Sequence, residues 1–167
     1  MPDGPTNFAG VLQTLTRHEV QFILVGGLSA IIHGSPRLTH DVDVVYARSR
    51  ENVHRLVAAL GPHGPYLRGA PRGLPFKWDE STVRMGLNFT LVTSLGDVDL
   101  LGEVAGGGTY KSLLPHAAEA EAFGTKFLCV GLEKLIHLKR AAGRPKDLES
   151  IAELQALLEE RRKHAGP

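Results

Sequence analysis

Two aspartates one residue apart, Asp41 and Asp43, lie within the otherwise hydrophobic stretch DVDVV. Side chains alternate across a β-strand, so both carboxylates would point to the same face, with their α-carbons about 6.6 Å apart. Like charges at such a distance repel, and each carboxyl group then has a raised pKa. A divalent cation reverses this effect because hard cations bind carboxylate oxygens. The pair therefore predicts a metal site on one face of a strand.

A second Asp-x-Asp, formed by Asp97 and Asp99, occurs in the later segment GDVDLLG. Aspartate beside glycine is common in turns, which favours a turn position for Asp97. Asp99 precedes two leucines and is the better third carboxylate. Three carboxylates from neighbouring strands are typical of two-metal sites, which clamp the attacking and leaving oxygens of a phosphoryl displacement. We therefore expect Asp41, Asp43 and Asp99 to bind metal.

A phosphate-binding turn is predicted just upstream, at the glycine pair Gly26 and Gly27. Magnesium usually brings substrate phosphates into its coordination shell. A strand that ends in glycines and leads into a helix presents backbone N–H groups to an anion. Glycine pairs are also common in tight turns without any ligand. Ser29, Arg37 and Thr39 could add further donors to the phosphates.

The elements that must position these residues follow the order helix, strand, helix, strand, helix, which indicates an α+β (α/β) fold. The later segments NFTLVTS and DVDLLGEV predict a strand pair, and KFLCV a further strand. From Leu132 the chain predicts two helices, interrupted around AGRPKD. We expect one domain over residues 1–167, with a core at about 20–130 and a helical segment at about 131–163.

The composition is that of an ordinary globular protein, with 43% hydrophobic and 22% charged residues. The formal net charge of +1 gives no large overall field that would indicate a nucleic-acid or membrane partner. The single cysteine, Cys129, is predicted to be a buried thiol. It excludes an intrachain disulfide, which suits a reducing cytoplasm. With no signal-peptide pattern at MPDGPTNFAG, we expect a cytoplasmic protein.

The segment 61–80 is predicted to be an irregular loop, because it contains four prolines and four glycines. Basic and aromatic side chains alternate along it, a pattern that can hold a nucleic-acid strand or a base. A surface loop pinned by its aromatic residues explains the same pattern. The basic residues are Arg68, Arg72 and Lys77, and the aromatic residues are Tyr66, Phe76 and Trp78.

Taken together, these motifs resemble the nucleotidyltransferase superfamily, whose minimal domains share the polymerase-β-like fold. The superfamily pattern is a strand, a glycine turn, a helix, Asp-x-Asp and a later Asp. The stretch GGLSAIIHGSPRLTHDVD is most similar to the AbiEii-type toxin–antitoxin branch, in which Arg-x-Thr precedes the aspartate pair. The stretch LEKLIHLKRAAGRPKDLESI resembles the same branch. The matching positions there are Lys139, Arg144, Lys146 and Asp147.

This resemblance implies a small mixed sheet flanked by helices and a Mg²⁺- or Mn²⁺-dependent transfer of a nucleoside monophosphate from an NTP to an acceptor hydroxyl. Asp41 and Asp43 would hold both ions, and Asp99 would hold one and help to deprotonate the acceptor. The nucleotide-binding residues would be Gly26, Gly27, Ser29, Arg37, Thr39, Lys139 and Asp147. Lys139 also fits a solvated helix edge, and Asp147 a helix cap.

The acceptor implied by the resemblance is tRNA or a protein, with a toxin–antitoxin role and a cognate antitoxin as partner. A small-molecule nucleotidyltransferase of the aminoglycoside-modifying kind shares the same catalytic core. A nucleotide-binding regulatory protein without turnover is a third interpretation, which the presence of all three aspartates disfavours. No membrane partner is expected, because the apolar run at residues 22–32 is too short to span a bilayer.

Overall fold

The computed structural model describes residues 4–165, which form a seven-stranded mixed sheet with helices on both faces. The predicted α+β (α/β) fold class is therefore confirmed. In spatial order the strands are β3-β4-β5-β2-β1-β7-β6. They are β1 (Phe22–Val25), β2 (Asp41–Tyr46), β3 (Tyr66–Leu67), β4 (Asn88–Thr93), β5 (Gly96–Leu101), β6 (Ala117–Ala122) and β7 (Thr125–Val130).

The predicted order of helices and strands is present, and the two C-terminal helices begin at Leu132 as predicted. Ser49 caps the helix Arg50–Leu60 by accepting a hydrogen bond from the Asn52 N–H. The second C-terminal helix continues to Ala165. The helices are α1 (Phe8–Arg17), α2 (Gly26–Ile32), α3 (Arg50–Leu60), α4 (Glu80–Met85), α5 (Tyr110–Leu113), α6 (Leu132–Ala142) and α7 (Pro145–Ala165).

The pairing of the central strands brings the two Asp-x-Asp motifs side by side. β2 runs parallel to β5, with Asp43 opposite Asp99 and Asp41 opposite Asp97. β1 runs antiparallel to β2, and its last residue, Val25, lies opposite Asp43. The carboxylates therefore lie where β1 ends and the glycine pair begins.

Alternation along β2 assigns the aspartates to one of two hydrophobic layers. Val42 and Val44 belong to the core formed with α1 and α3. Val45 points the other way, into the core formed with α6 and α7. Asp41 and Asp43 share the direction of Val45, because side chains two residues apart lie on the same face of a strand. The acidic pair thus lies on the face that the C-terminal helices cover.

Three local features differ from the expectations. Asp97 is the second residue of β5 and not a turn residue, since Gly96 alone adopts the positive φ that the turn requires. Helix α2 begins at Gly26 itself, so the glycines form its first turn. The edge strand β6 has the sequence AAEAEA, which carries little strand propensity, and pairing with β7 stabilises it.

Cys129 is a buried free thiol in β7, as predicted. Across residues 4–165, none of the helices is both long enough and apolar enough to cross a membrane.

Candidate active site

An acidic cluster lies at the end of β2 and β5. Asp41, Asp43 and Asp99 each offer one carboxylate oxygen, and these atoms all lie within 4.8 Å of one another. The register of the two parallel strands explains the convergence, because it places Asp43 directly beside Asp99. The site therefore brings together the three carboxylates that the sequence singled out.

Asp43 is the most enclosed member of this cluster. Its Oδ1 atom is buried and has no hydrogen-bond partner among residues 4–165. Burial raises the pKa of Asp43 from 3.8 to about 7, and the charges of Asp99 and Asp41 add to the increase. Burial also raises the pKa of Asp99, although the positive charge of Arg68 opposes the change. A cation close to Asp43 would therefore strongly stabilise its ionised carboxylate.

Arg68 supplies positive charge to the cluster, although the sequence placed it only among the basic residues of the 61–80 segment. Its Nη2 donates to Asp99 Oδ1 at 2.8 Å and to the Leu91 carbonyl at 2.7 Å. Its Nε lies 3.4 Å from Asp97 Oδ2, and its Nη1 lies 3.7 Å from Asp41 Oδ2. One guanidinium therefore faces three carboxylates.

The glycine pair packs directly against the acidic residues. Gly26 has a φ of +71°, and a β-carbon there would collide with Asp43 Oδ2. A β-carbon on Gly27 would lie 2.6 Å from Thr39 Oγ1. The positive φ and the close approach of Asp43 both favour glycine at position 26, and a larger residue at position 27 would require Thr39 to shift.

Ser29 is not among the residues that line the cleft, and its role as a phosphate donor stays a prediction. Its side chain is fully buried, and its hydroxyl donates to the Gly26 carbonyl at 2.6 Å. The helical spacing of three residues turns this hydroxyl back onto the preceding turn. Ser29 therefore stabilises the glycine turn from its buried side.

The opposite wall of the cleft is cationic and comes from α6 and α7. Lys139 lies on α6, and burial lowers its pKa while the charge of Asp147 offsets part of the change. Arg144 and Lys146 lie at the junction of the two helices and also line the cleft. Lys146 is exposed and makes no ion pair within residues 4–165.

Asp147 holds this cationic wall together. It accepts hydrogen bonds from Arg144 Nε at 2.6 Å and Nη2 at 3.1 Å, and Lys139 Nζ lies 3.8 Å away. Its side chain is only 2% exposed. Burial opposes ionisation, but the hydrogen bonds and charge of Arg144 prevail and lower the pKa of Asp147. Asp147 is therefore an ionised anchor for two cations, with little surface left for a ligand.

Arg37 lies at the rim of the cleft and is already engaged. Its guanidinium makes two hydrogen bonds to Glu153 of α7, at 2.9 and 3.1 Å. The cleft itself has a volume of about 240 Å³. The predicted residues that line it are Gly26, Gly27, Arg37, Thr39, Asp41, Asp43, Asp99, Lys139 and Asp147.

Sequence comparison identifies the family. The model of a family described as "Nucleotidyl transferase of unknown function (DUF2204)" matches residues 5–165. The chain belongs to this nucleotidyl transferase family. No curated protein matches it.

Solved structures support the same fold. Six chains match, among them the crystal structure of a "putative nucleotidyltransferase" from Thermotoga maritima. That protein is 18% identical in sequence, with a TM-score of 0.51, and the match covers 90% of this chain and 89% of that one. At this identity the similarity shows that the two chains share a fold.

The acidic cluster of this nucleotidyl transferase family member fits a divalent metal ion. Its donors are carboxylate oxygens, which Mg²⁺ and Mn²⁺ prefer. Asp43 Oδ1 is buried without a partner, and such an atom needs a ligand to offset its lost hydration. The donor set and the orphaned oxygen therefore both fit a hard cation.

Proposed function

We propose that this protein is a divalent-metal-dependent nucleotidyltransferase, which moves a nucleoside monophosphate from an NTP to an acceptor hydroxyl and releases pyrophosphate. The observation that carries the proposal is the cleft itself. Carboxylates and a glycine turn form one wall, and Lys139, Arg144 and Lys146 form the other. A metal–triphosphate complex has the matching charge pattern, since it presents a cation to the acidic wall and phosphates to the basic wall.

In this proposal, Asp41, Asp43 and Asp99 hold Mg²⁺ or Mn²⁺. The bound metal would neutralise the triphosphate and stabilise the charge that develops on the attacking and leaving oxygens. Asp43 serves as the deep ligand, because its Oδ1 is enclosed and unpartnered. The side chains of Asp41 and Asp99 are 36% and 23% exposed, so both can also meet substrate oxygens.

Asp99 is the residue best placed to receive the proton of the acceptor hydroxyl. It lies opposite Thr90 of β4, on the same face of the sheet. Thr90 and Asn88 are exposed on that face. Arg68 bonds to Asp99 from the same side, so an acceptor that approaches Asp99 there would require the Arg68 side chain to move. The side of Asp43 that faces the glycine turn is left for the triphosphate.

The cationic wall would bind the triphosphate through side chains that Asp147 holds in place. Lys139 faces the acidic cluster closely enough that the charge of Asp43 affects its pKa. Lys146 adds an exposed ammonium at the cleft. We therefore assign Lys139 and Lys146 to phosphate binding, and Asp147 to positioning rather than to direct nucleotide contact.

The finer predictions go beyond the family description. They comprise the AbiEii-type branch, ATP binding, the choice of tRNA or protein as acceptor, a toxin–antitoxin role with a cognate antitoxin, and a cytoplasmic location. The resemblance of Arg37-x-Thr39 and of the segment around Lys139 supports the branch and the role that it implies, and the single cysteine supports the location. An aminoglycoside-type acceptor stays the alternative, because it requires the same catalytic core.

The test is to incubate the purified protein with each α-labelled NTP, Mg²⁺ or Mn²⁺, total tRNA and a cell lysate, and to identify the labelled product. Asp99→Asn should abolish labelling. Glu119→Gln is the matched control, because Glu119 is an exposed carboxylate on β6 away from the cleft. Label that survives in Asp99→Asn would refute the catalytic assignment. NTP binding without any transfer would favour the regulatory-protein interpretation.

A further inference from the structure

Arg68 contacts two of the carboxylates that would hold a metal ion. Its Nη2 donates a hydrogen bond to Asp99 Oδ1 at 2.8 Å, and its Nη1 lies 3.7 Å from Asp41 Oδ2. Asp41 and Asp99 are also two of the three carboxylates that could hold a metal ion. A guanidinium and a divalent cation would therefore compete for the same carboxylates.

The backbone of Arg68 is fixed, but its side chain is incompletely paired. Its N–H donates to the Thr90 carbonyl at 2.9 Å, which extends the β3–β4 pairing by one residue. Its Nε is buried without a hydrogen-bond partner, although Asp97 Oδ2 lies 3.4 Å away. Among the carboxylates only Asp99 receives a true hydrogen bond from it. The guanidinium therefore neutralises part of the acidic cluster. It can also move away from the carboxylates while the Arg68 backbone stays in place.

The segment that follows Arg68 is loosely packed. Gly69 and Gly73 are exposed and have positive φ angles, and a β-carbon on either would meet no atom within 4 Å. The Arg68 side chain itself is already 26% exposed.

We propose that Arg68 is an internal cation that occupies the Asp99 side of the site in the metal-free protein and limits its occupancy by divalent ions. The inference rests on the proposed metal-dependent function. Three carboxylates, Asp41, Asp97 and Asp99, surround one guanidinium. A metal ion held by Asp41 and Asp99 would be repelled by the Arg68 charge beside it and would favour displacement of that side chain, and the displaced guanidinium would then be available to the phosphates of a bound nucleotide.

The test measures binding of Mn²⁺ alone to the full chain, by calorimetry and by the electron paramagnetic resonance signal of the free ion. Arg68→Gln should bind Mn²⁺ about tenfold more tightly, or take up a second ion, because a unit positive charge about 4 Å from the ligand oxygens is removed. Arg68→Lys keeps the charge and should stay near the wild type. Arg72→Gln is the matched control, an exposed arginine four residues along the same segment.

A second measurement uses the wild type and does not depend on the folding of a variant. Modification of the Arg68 guanidinium by phenylglyoxal, compared with that of Arg72 and measured by peptide mass spectrometry, should increase severalfold when Mn²⁺ is added, because the displaced side chain becomes accessible. An unchanged ratio of modification would overturn the proposal.

The binding results separate the two hypotheses. If the wild type binds Mn²⁺ and Arg68→Gln binds it equally or more weakly, Arg68 orients the carboxylates and does not compete with the metal. If neither protein binds Mn²⁺, the proposed metal-dependent function fails, and the role of Arg68 fails with it.

Discussion

Replacing Asp43 with asparagine should stabilise the metal-free protein and abolish its response to metal. The wild-type carboxyl has a pKa of about 7 in the folded protein, against an ordinary value of 3.8. Between pH 3.8 and about pH 7, the Asp43 carboxyl is therefore protonated in the folded state and ionised in the unfolded state. The stabilisation by this proton is complete below pH 3.8 and is lost as the pH rises through about 7.

The magnitude follows from the size of the pKa difference. Each pKa unit corresponds to about 1.4 kcal/mol, so the ionised carboxylate lowers the free energy of unfolding by about 4 kcal/mol at pH 8. At pH 5 most folded molecules keep the proton, and the same linkage gives about 1.7 kcal/mol. Asparagine does not titrate, so the advantage of Asp43→Asn should grow by about 2–3 kcal/mol between pH 5 and pH 8.

The assay is urea unfolding in EDTA at pH 5, 6, 7 and 8, repeated with saturating Mn²⁺. Manganese at about 100 times its dissociation constant should stabilise the wild type by about 2.7 kcal/mol and leave Asp43→Asn unchanged. Glu119→Gln, which removes an exposed carboxylate, should follow the wild type throughout. A wild-type stability that rises from pH 5 to pH 8 in EDTA, or an Asp43→Asn profile parallel to it, would refute the reasoning.

Two further substitutions separate site geometry from general stability. Gly26→Ala should abolish Mn²⁺ binding, because the added β-carbon collides with Asp43 Oδ2. Gly124→Ala has a similar positive φ with no atom within 4 Å, so it should lose about 1 kcal/mol of stability and keep full metal binding; equal metal binding by both variants would contradict this. Asp147→Asn should destabilise the protein by about 2–3 kcal/mol and raise the KM for NTP more than it lowers kcat, measured by urea unfolding and steady-state kinetics. Because the pKa of Asp147 is lowered, this loss should disappear as the pH falls through that pKa, and a pH-independent loss would argue against the ionised anchor.

The local pattern of the sequence was enough to predict the main elements and the acidic pair. Alternation within DVDVV requires Asp41 and Asp43 to share a face whatever the partner strands are. The two C-terminal helices follow from helical periodicity and from the break at Arg144-Pro145. These features depend on residues within a few positions of one another, and such spacing is visible in a single chain.

Only the tertiary structure decided which other groups meet the aspartates. Arg68 reaches Asp99 because β3 pairs with β4 and β4 with β5, and this contact joins residues 31 positions apart. Asp97 looked like a turn residue, but its pairing with Asp41 draws it into the strand. The hydroxyl of Ser29 turns inward because Gly26 belongs to the first turn of helix α2, where its carbonyl accepts the hydrogen bond of that hydroxyl. Strand register and the start of a helix depend on long-range packing. A local motif therefore cannot predict which charged side chain, here Arg68, the packing places beside the aspartates.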